Sequence, residues 1–234
     1  MNHEIDIWQI DLRRSADLVN LDVKSLSDDE LERLSRFKSP GPALIFAQSR
    51  SALRRLLADR LCLAPRAIEL GLLASGKPIV LGYPSCHFNI SHSGDCALIA
   101  VHDTLEVGVD IEHSSSFASP ERLAPYACSL AELSLLRDRP GSDIEFLATV
   151  WTVKEAALKA AAIGLSVPPN QIDLARDLPA GTGHLALGNL VAPAESLDVR
   201  WQTLALAEGR HGAVAARTPC RDDRLIPRLR TFLS

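Results

Sequence analysis

Nothing in the cysteine pattern builds a covalent framework or a zinc site: Cys62, Cys86, Cys96, Cys128 and Cys220 form no C-x-x-C pair. An odd, scattered set reads as reduced packing thiols. The chain also lacks any apolar run long enough to span a bilayer, and residues 1–25 carry no signal-peptide pattern. The expected location is therefore the cytoplasm, with no membrane partner. A basic excess is missing too. With 25 Lys and Arg against 29 Asp and Glu, the net charge of −4 argues against a nucleic-acid-coating protein. One small anion in a local basic pocket remains compatible with that balance. What is present is a 47% hydrophobic fraction over 234 residues, enough for one large globular domain or two small ones.

Alternating apolar residues from Glu4 to Leu12 predict an opening strand. Ser27 and Glu30 have capping-box spacing, which predicts a helix through about Phe37. Ser39-Pro40-Gly41-Pro42 reads as a break. An amphipathic helix follows over 43–63, with Arg50, Arg54 and Arg55 as its cations. Gly71 to Pro84 reads as loop, then strands are expected at His87–Ile90, Cys96–His102 and Glu106–Ile111, with Ser114–Ser119 as a linker. The plan then repeats: helices over 129–137 and 142–163, and strands near Gln171–Leu174, His184–Leu187, Val199–Ala207 and Gly212–Ala216. This points to an α+β fold of two similar lobes, 1–115 and 116–234. Arg221, Arg224, Arg228 and Arg230 around Pro227 read as a basic, solvated end.

Chemistry concentrates in two segments. In Gly108-Val109-Asp110-Ile111-Glu112 the acids sit two apart, so a strand turns both to one face. In Trp151-Thr152-Val153-Lys154-Glu155-Ala156-Ala157-Leu158-Lys159-Ala160, Glu155 and Lys159 share a helix face. Each has a plain reading: strand-end acids facing water, and an ordinary i,i+4 pair. Brought together, three carboxylates repel one another unless a proton or cation intervenes, and an all-oxygen set suits Mg²⁺ with a substrate phosphate completing its shell. Lys154 lies about 100° round the helix from Glu155, so one of the two lysines is expected at the surface. In His87-Phe88-Asn89-Ile90-Ser91-His92-Ser93-Gly94, the hydroxyls, His92 and Gly94 make either a phosphate cradle or a hydrogen-bonded turn. Lys77, in Gly76-Lys77-Pro78, is a surface charge unless its loop closes on a ligand.

Taken in order, Gly76-Lys77-Pro78, the 87–93 segment, Gly108–Glu112, Ser129-Leu130-Ala131-Glu132 and Trp151-x-x-Lys154-Glu155-Ala156-x-x-Lys159-Ala160 resemble the long, surfactin-synthetase-activating type of 4'-phosphopantetheinyl transferase. The resemblance runs from the opening strand to about residue 175. It implies two pseudo-symmetric lobes with the active site in the cleft between them. It also implies transfer of the phosphopantetheine arm of coenzyme A to a serine hydroxyl of an apo acyl, peptidyl or aryl carrier protein, releasing adenosine 3',5'-bisphosphate.

By the same resemblance, Asp110, Glu112 and Glu155 hold Mg²⁺ and Lys159 contacts the α/β phosphates. His92, with Arg50 and Arg33, holds the 3'-phosphate, Ser91 is a further coenzyme A contact, and Lys77 and Pro78 line the adenosine end. Glu132 is expected as a supporting acid near the metal, and Glu155, directly or through a bound water, as the proton acceptor. Two segments depart from the pattern: Phe37–Gln48 lacks the basic residues of relatives, and Tyr126-Ala127-Cys128 replaces their aromatics. A monomer is expected, with a rim near Arg122, Arg137 and Arg139 facing an acidic carrier. Two rival readings use the same residues: a Mg²⁺-dependent phosphoesterase, with water as nucleophile, and a non-catalytic coenzyme A- or carrier-binding module.

Overall fold

A computed structural model describes residues 1–12, 23–138, 143–190, 197–207, 209–220 and 222–232. In chain order the elements are β1 (Asn2–Asp11), α1 (Asp28–Ser35), α2 (Pro40–Leu61), β2 (Leu70–Leu72), β3 (Pro78–Val80), β4 (His87–Ser93), β5 (Cys96–His102) and β6 (Val107–His113). They continue with α3 (Pro120–Ala127), α4 (Leu130–Asp138), α5 (Asp143–Ala160), β7 (Thr182–Ala186), β8 (Asp198–Leu204), β9 (Arg210–Arg217) and β10 (Arg224–Thr231). The α+β class expected from the sequence is the one observed. Among the described residues no helix is long and apolar enough to cross a membrane.

Two four-stranded sheets organise the chain, in the orders β10-β1-β5-β4 and β6-β9-β8-β7, with β2-β3 as a small separate hairpin. The first sheet packs one face on α2, through Phe88, Ala97, Ile99 and Val101 against Leu53, Leu56 and Leu57. Its other face meets the second sheet, where Ile5, Ile7, Leu98 and Ala100 join Val107, Val109, Ile111 and Val214. The second sheet's far face carries α5, through Val199, Trp201, Ala213 and Ala215 against Val153, Ala156, Ala157 and Ala160. Because β5 is covered on both sides, its run Cys96–Val101 is buried without alternation.

Several elements depart from the sequence expectations. Pro40-Gly41-Pro42 is the first turn of α2 rather than a break, since first-turn residues need no intrahelical N–H bond and Pro40 suits the first helical position. The helix ends at Cys62, in the left-handed region at φ 53°. The 71–84 stretch is not all loop: Leu70–Leu72 and Pro78–Val80 pair antiparallel. Ser114–Phe117 forms a 3-10 turn in the expected linker, and α3 follows, starting at Pro120. No strand forms at 171–174; Pro169 starts a 3-10 turn there instead. The expected helix start at Ser142 lies outside the described residues.

The basic C-terminal stretch is not a solvated end. Residues 224–231 pair in parallel with β1, with Pro227 opposite Ile5. Proline is tolerated because β10 is the sheet's edge. Its arginines neutralise acids on β1: Arg228 bonds Glu4, and Arg230 lies 3.0 Å from Asp6 with its guanidinium 5.2 Å from the Trp8 ring. Arg221 lies outside the described residues. Sheet membership also crosses the expected division near residue 115. β6 precedes that point yet belongs to the second sheet, and β10 follows it yet belongs to the first.

One glycine sets the distance between β6 and α5. A Cβ on Gly108 would sit 2.1 Å from the Ala156 carbonyl oxygen and 2.5 Å from the Ala160 nitrogen, both backbone atoms of α5. Helix and strand approach at that point as only glycine allows. Gly108→Ala is expected to cost about 3 kcal/mol, seen as a lower denaturation midpoint; an unchanged midpoint would show that the contact can relax without penalty.

Candidate active site at the junction of the sheets

β4 and β6 are the facing edges of the two sheets, and side chains join them. Asn89 Oδ1 accepts from the Val109 N–H at 3.0 Å, Ser91 Oγ donates to Asp110 Oδ1 at 2.7 Å, and Ser93 Oγ donates to Glu112 Oε2 at 2.9 Å. Ser93 Oγ also accepts from the His113 N–H at 3.1 Å. The polar period of β4 (Asn89, Ser91, Ser93) therefore faces β6, while Phe88 and Ile90 turn toward the α2 core. Asn89, missed from the sequence alone, belongs to this seam. The signal was there in the two-residue repeat Asn-x-Ser-x-Ser beside Asp-x-Glu.

α5 lies over the same seam. Lys159 Nζ is 2.6 Å from Asp110 Oδ1 and 3.4 Å from Ser91 Oγ. Asp110 is 3% exposed. Glu155 is within electrostatic reach of Asp110, Glu112 and Lys159. Burial raises the Glu155 pKa, with Asp110 and Glu112 adding to the rise and Lys159 opposing it. Burial likewise raises Glu112, again helped by Asp110 and opposed by the Ser93 hydroxyl and Lys159.

Asp110 Oδ2 and Glu155 Oε1 are buried with no hydrogen-bond partner among the described residues. Three acids thus share one ammonium, and two of their oxygens are sheltered from water with nothing to bind. By donor type the set fits a hard divalent cation. Among the described residues, no group of three or more His, Cys, Asp and Glu is placed so as to hold a metal ion. That is consistent with Lys159 holding Asp110 Oδ1.

The expectation that one of the two lysines is a surface residue is corrected. Lys159 is half-buried against Asp110, and Lys154 is fully buried, giving 2.7 Å to the Ala127 carbonyl and 2.5 Å to Glu132 Oε2. Glu132 also caps its own helix by accepting from the Ser129 N–H at 2.7 Å, and its Oε1 accepts from the Leu174 N–H at 2.8 Å. Its oxygens are committed inside this network, so it joins α3, α4, α5 and the 173–174 segment instead of supporting the acid cluster.

The remaining expected residues are dispersed. His92 is the exception: its side chain lies near Lys159, and partial desolvation together with that charge lowers its pKa. Arg50 and Arg33 gather round Phe46, at 5.9 Å and 4.9 Å from its ring, with Arg50 Nε 3.8 Å from Glu30. Burial lowers the Arg50 pKa, and Glu30 opposes that. Arg54 is buried on Glu30 and on two carbonyls, of Pro65 and Ile68, at 2.9 Å each.

Lys77 is not a surface charge: it is buried, bonds Glu106, and donates to the Val107 carbonyl at 3.0 Å. Pro78 lines a cavity of about 260 Å³ with Lys77, Tyr83, His87, Phe88 and Glu106. A larger cavity, about 750 Å³, lies along α5 beside Glu145, Thr149 and His211 and includes none of the three acids or Lys159. The acid cluster, not that cavity, carries the distinctive chemistry. Arg122 and Arg137 are exposed on α3 and α4, and Arg139 lies outside the described residues.

Two measurements follow. Lys154→Met is expected to cost about 3–5 kcal/mol by stranding the Glu132 carboxylate, with Lys154→Met/Glu132→Leu costing less than the single change; equal losses in urea melts would remove the pair's structural role. Burial works against ionised Glu106, but bonds from His87 and Lys77 outweigh it and hold its pKa at about 2 instead of 4.5. A carboxyl depressed in the fold adds stability above its unfolded value and loses it as pH falls through the folded one. Glu106→Gln should therefore flatten the acid limb of stability between about 4.5 and 2. An unaltered limb would contradict that assignment.

The acids of β6 and the acid and lysine of α5 thus meet beside the hydroxyl-bearing strand β4. A family model described as the 4'-phosphopantetheinyl transferase superfamily matches residues 106–204, which hold the acids of β6 and all of α5. The chain is 32% identical over 170 residues to the 4'-phosphopantetheinyl transferase HetI of Nostoc sp., covering 71% of this chain and 72% of that protein. It is 31% identical over 145 residues to a 4'-phosphopantetheinyl transferase of Bacillus subtilis, covering 62% and 63%. It is 30% identical over 157 residues to the human L-aminoadipate-semialdehyde dehydrogenase-phosphopantetheinyl transferase, covering 62% of this chain and 51% of that longer relative. The chain belongs to the 4'-phosphopantetheinyl transferase superfamily.

Proposed function

We propose that this chain, acting as a monomer, moves the 4'-phosphopantetheine group of coenzyme A onto a serine hydroxyl of an apo carrier protein. The observation that carries the reading is the meeting of Asp110, Glu112, Glu155 and Lys159, with two buried carboxylate oxygens left without partners. On this reading the β4–β6 seam floors a cleft between two lobes. Asp110, Glu112 and Glu155 would hold Mg²⁺, which when bound neutralises pyrophosphate charge and aligns the phosphoryl group.

The chain's own residues account for the other requirements. Lys159, steadied by Asp110 and Ser91, presents an ammonium to the bridging phosphates. His92 and Arg50 supply donors for the 3'-phosphate, and Pro78 a wall for the adenosine. The serine oxygen bonds to the phosphorus bearing the pantetheine arm as the pyrophosphate P–O bond breaks. Adenosine 3',5'-bisphosphate leaves, and the serine proton passes to Glu155 directly or through a bound water.

Intact-mass measurement of an apo carrier with coenzyme A and Mg²⁺ tests the reading. The expected result is a phosphopantetheine adduct whose rate of formation falls at least about 100-fold in Glu155→Gln, with the melting temperature kept. Hydrolysis of coenzyme A without a carrier adduct would replace the transferase by a phosphoesterase.

A further inference from the structure

Glu106 joins three elements, the turn between β2 and β3, the start of β4 and the start of β6, and is itself no part of the acid cluster. One carboxylate oxygen takes the Lys77 ammonium, from the turn between β2 and β3, and the other lies 3.2 Å from His87 Nδ1 at the start of β4. Glu106 itself immediately precedes β6. The Lys77 side chain is 5% exposed, so its charge is spent internally, the Val107 carbonyl taking a second of its protons at 3.0 Å. The turn is shaped to send it there: Leu73 N–H reaches the Lys77 carbonyl at 2.9 Å, and Gly76 adopts φ +83°. The β2–β3 hairpin is thereby pinned to the second sheet's first strand. The cavity behind it, walled by Pro78, Tyr83 and Phe88, has its one lysine cancelled by its one carboxylate. Such a pocket suits a flat, uncharged ring better than a phosphate.

We infer that Glu106 is a positioning residue: by anchoring the Lys77 ammonium it fixes the hairpin as the wall of the nucleoside pocket, and Lys77 serves as a buried strut, not a phosphate ligand. The inference rests on the reading that coenzyme A binds with its adenosine against Pro78. It makes Glu106 and Lys77 a coupled pair whose joint replacement by apolar side chains is tolerated better than the loss of either partner.

Calorimetric binding of coenzyme A and of 3'-dephospho-coenzyme A, without carrier or turnover, tests it in Lys77→Met, Glu106→Leu, Glu106→Gln and Lys77→Met/Glu106→Leu. Each of Lys77→Met and Glu106→Leu should weaken both compounds by the same factor, about tenfold. The double variant should recover most of that loss, and Glu106→Gln, which keeps an oxygen acceptor for Lys77 but not the balancing charge, only part of it. If Lys77→Met weakens coenzyme A far more than the dephospho compound, and the double variant does no better, Lys77 is a phosphate ligand and the inference is overturned. Affinity unchanged in all four variants overturns it alone. Wild-type protein that binds neither compound overturns it together with the coenzyme A reading.

Discussion

Asp110 stands where three parts of the chain meet, and the site depends on how its carboxylate is held. β4 and β6 are sheet edges with donors and acceptors to satisfy, and the side chains of Asn89, Ser91 and Ser93 bridge them in place of a backbone ladder. The same strand that closes the gap orients the two acids of β6. Gly108 then lets α5 come close enough for Lys159 to reach Asp110 Oδ1 at 2.6 Å. Sheet joining, helix docking and acid placement are thus one constraint seen from three sides.

The two lysines of α5 show how near neighbours divide labour. Lys154 faces the core and meets Glu132, whose remaining capacity caps α4 and fastens Leu174. Lys159, five residues on, lies on the seam with three acids round it. One pair is closed and saturated; the other cluster has more negative charge than its single cation balances. Desolvated charge without enough partners is costly to keep, so the second arrangement is the one that calls for a ligand.

Much of this was readable from the residues. Alternation placed Asp110 and Glu112 on one strand face, four-residue spacing put Glu155 with Lys159, and the structure brings these together. The α+β class and most strands followed from periodicity. What failed did so for physical reasons. β10 has little hydrophobic alternation, because its arginines pair with acids on β1, so it read as a tail. β2 and β3 are three residues each, too short for a periodic signal. Lys77 looked exposed, and one of Lys154 and Lys159 was expected at the surface, because the partners Glu106 and Glu132 are 29 and 22 residues away from Lys77 and Lys154 in sequence. Long-range pairing of that kind leaves no mark in a local window.

The parallel pairing of β10 with β1 carries a consequence for biogenesis. The register joins Asn2 to Arg224 and Gln9 to Thr231, so the first sheet stays incomplete until β10, 222 residues further on, has been synthesised. During synthesis the outer edge of β1 waits with unpaired amides, a state open to mispairing with other nascent chains. A contact of such sequence separation also slows folding, since its loop must close before the pairing rewards it. β10 is therefore a late-fitting seal: changes to that strand act on β1, far ahead of it in sequence.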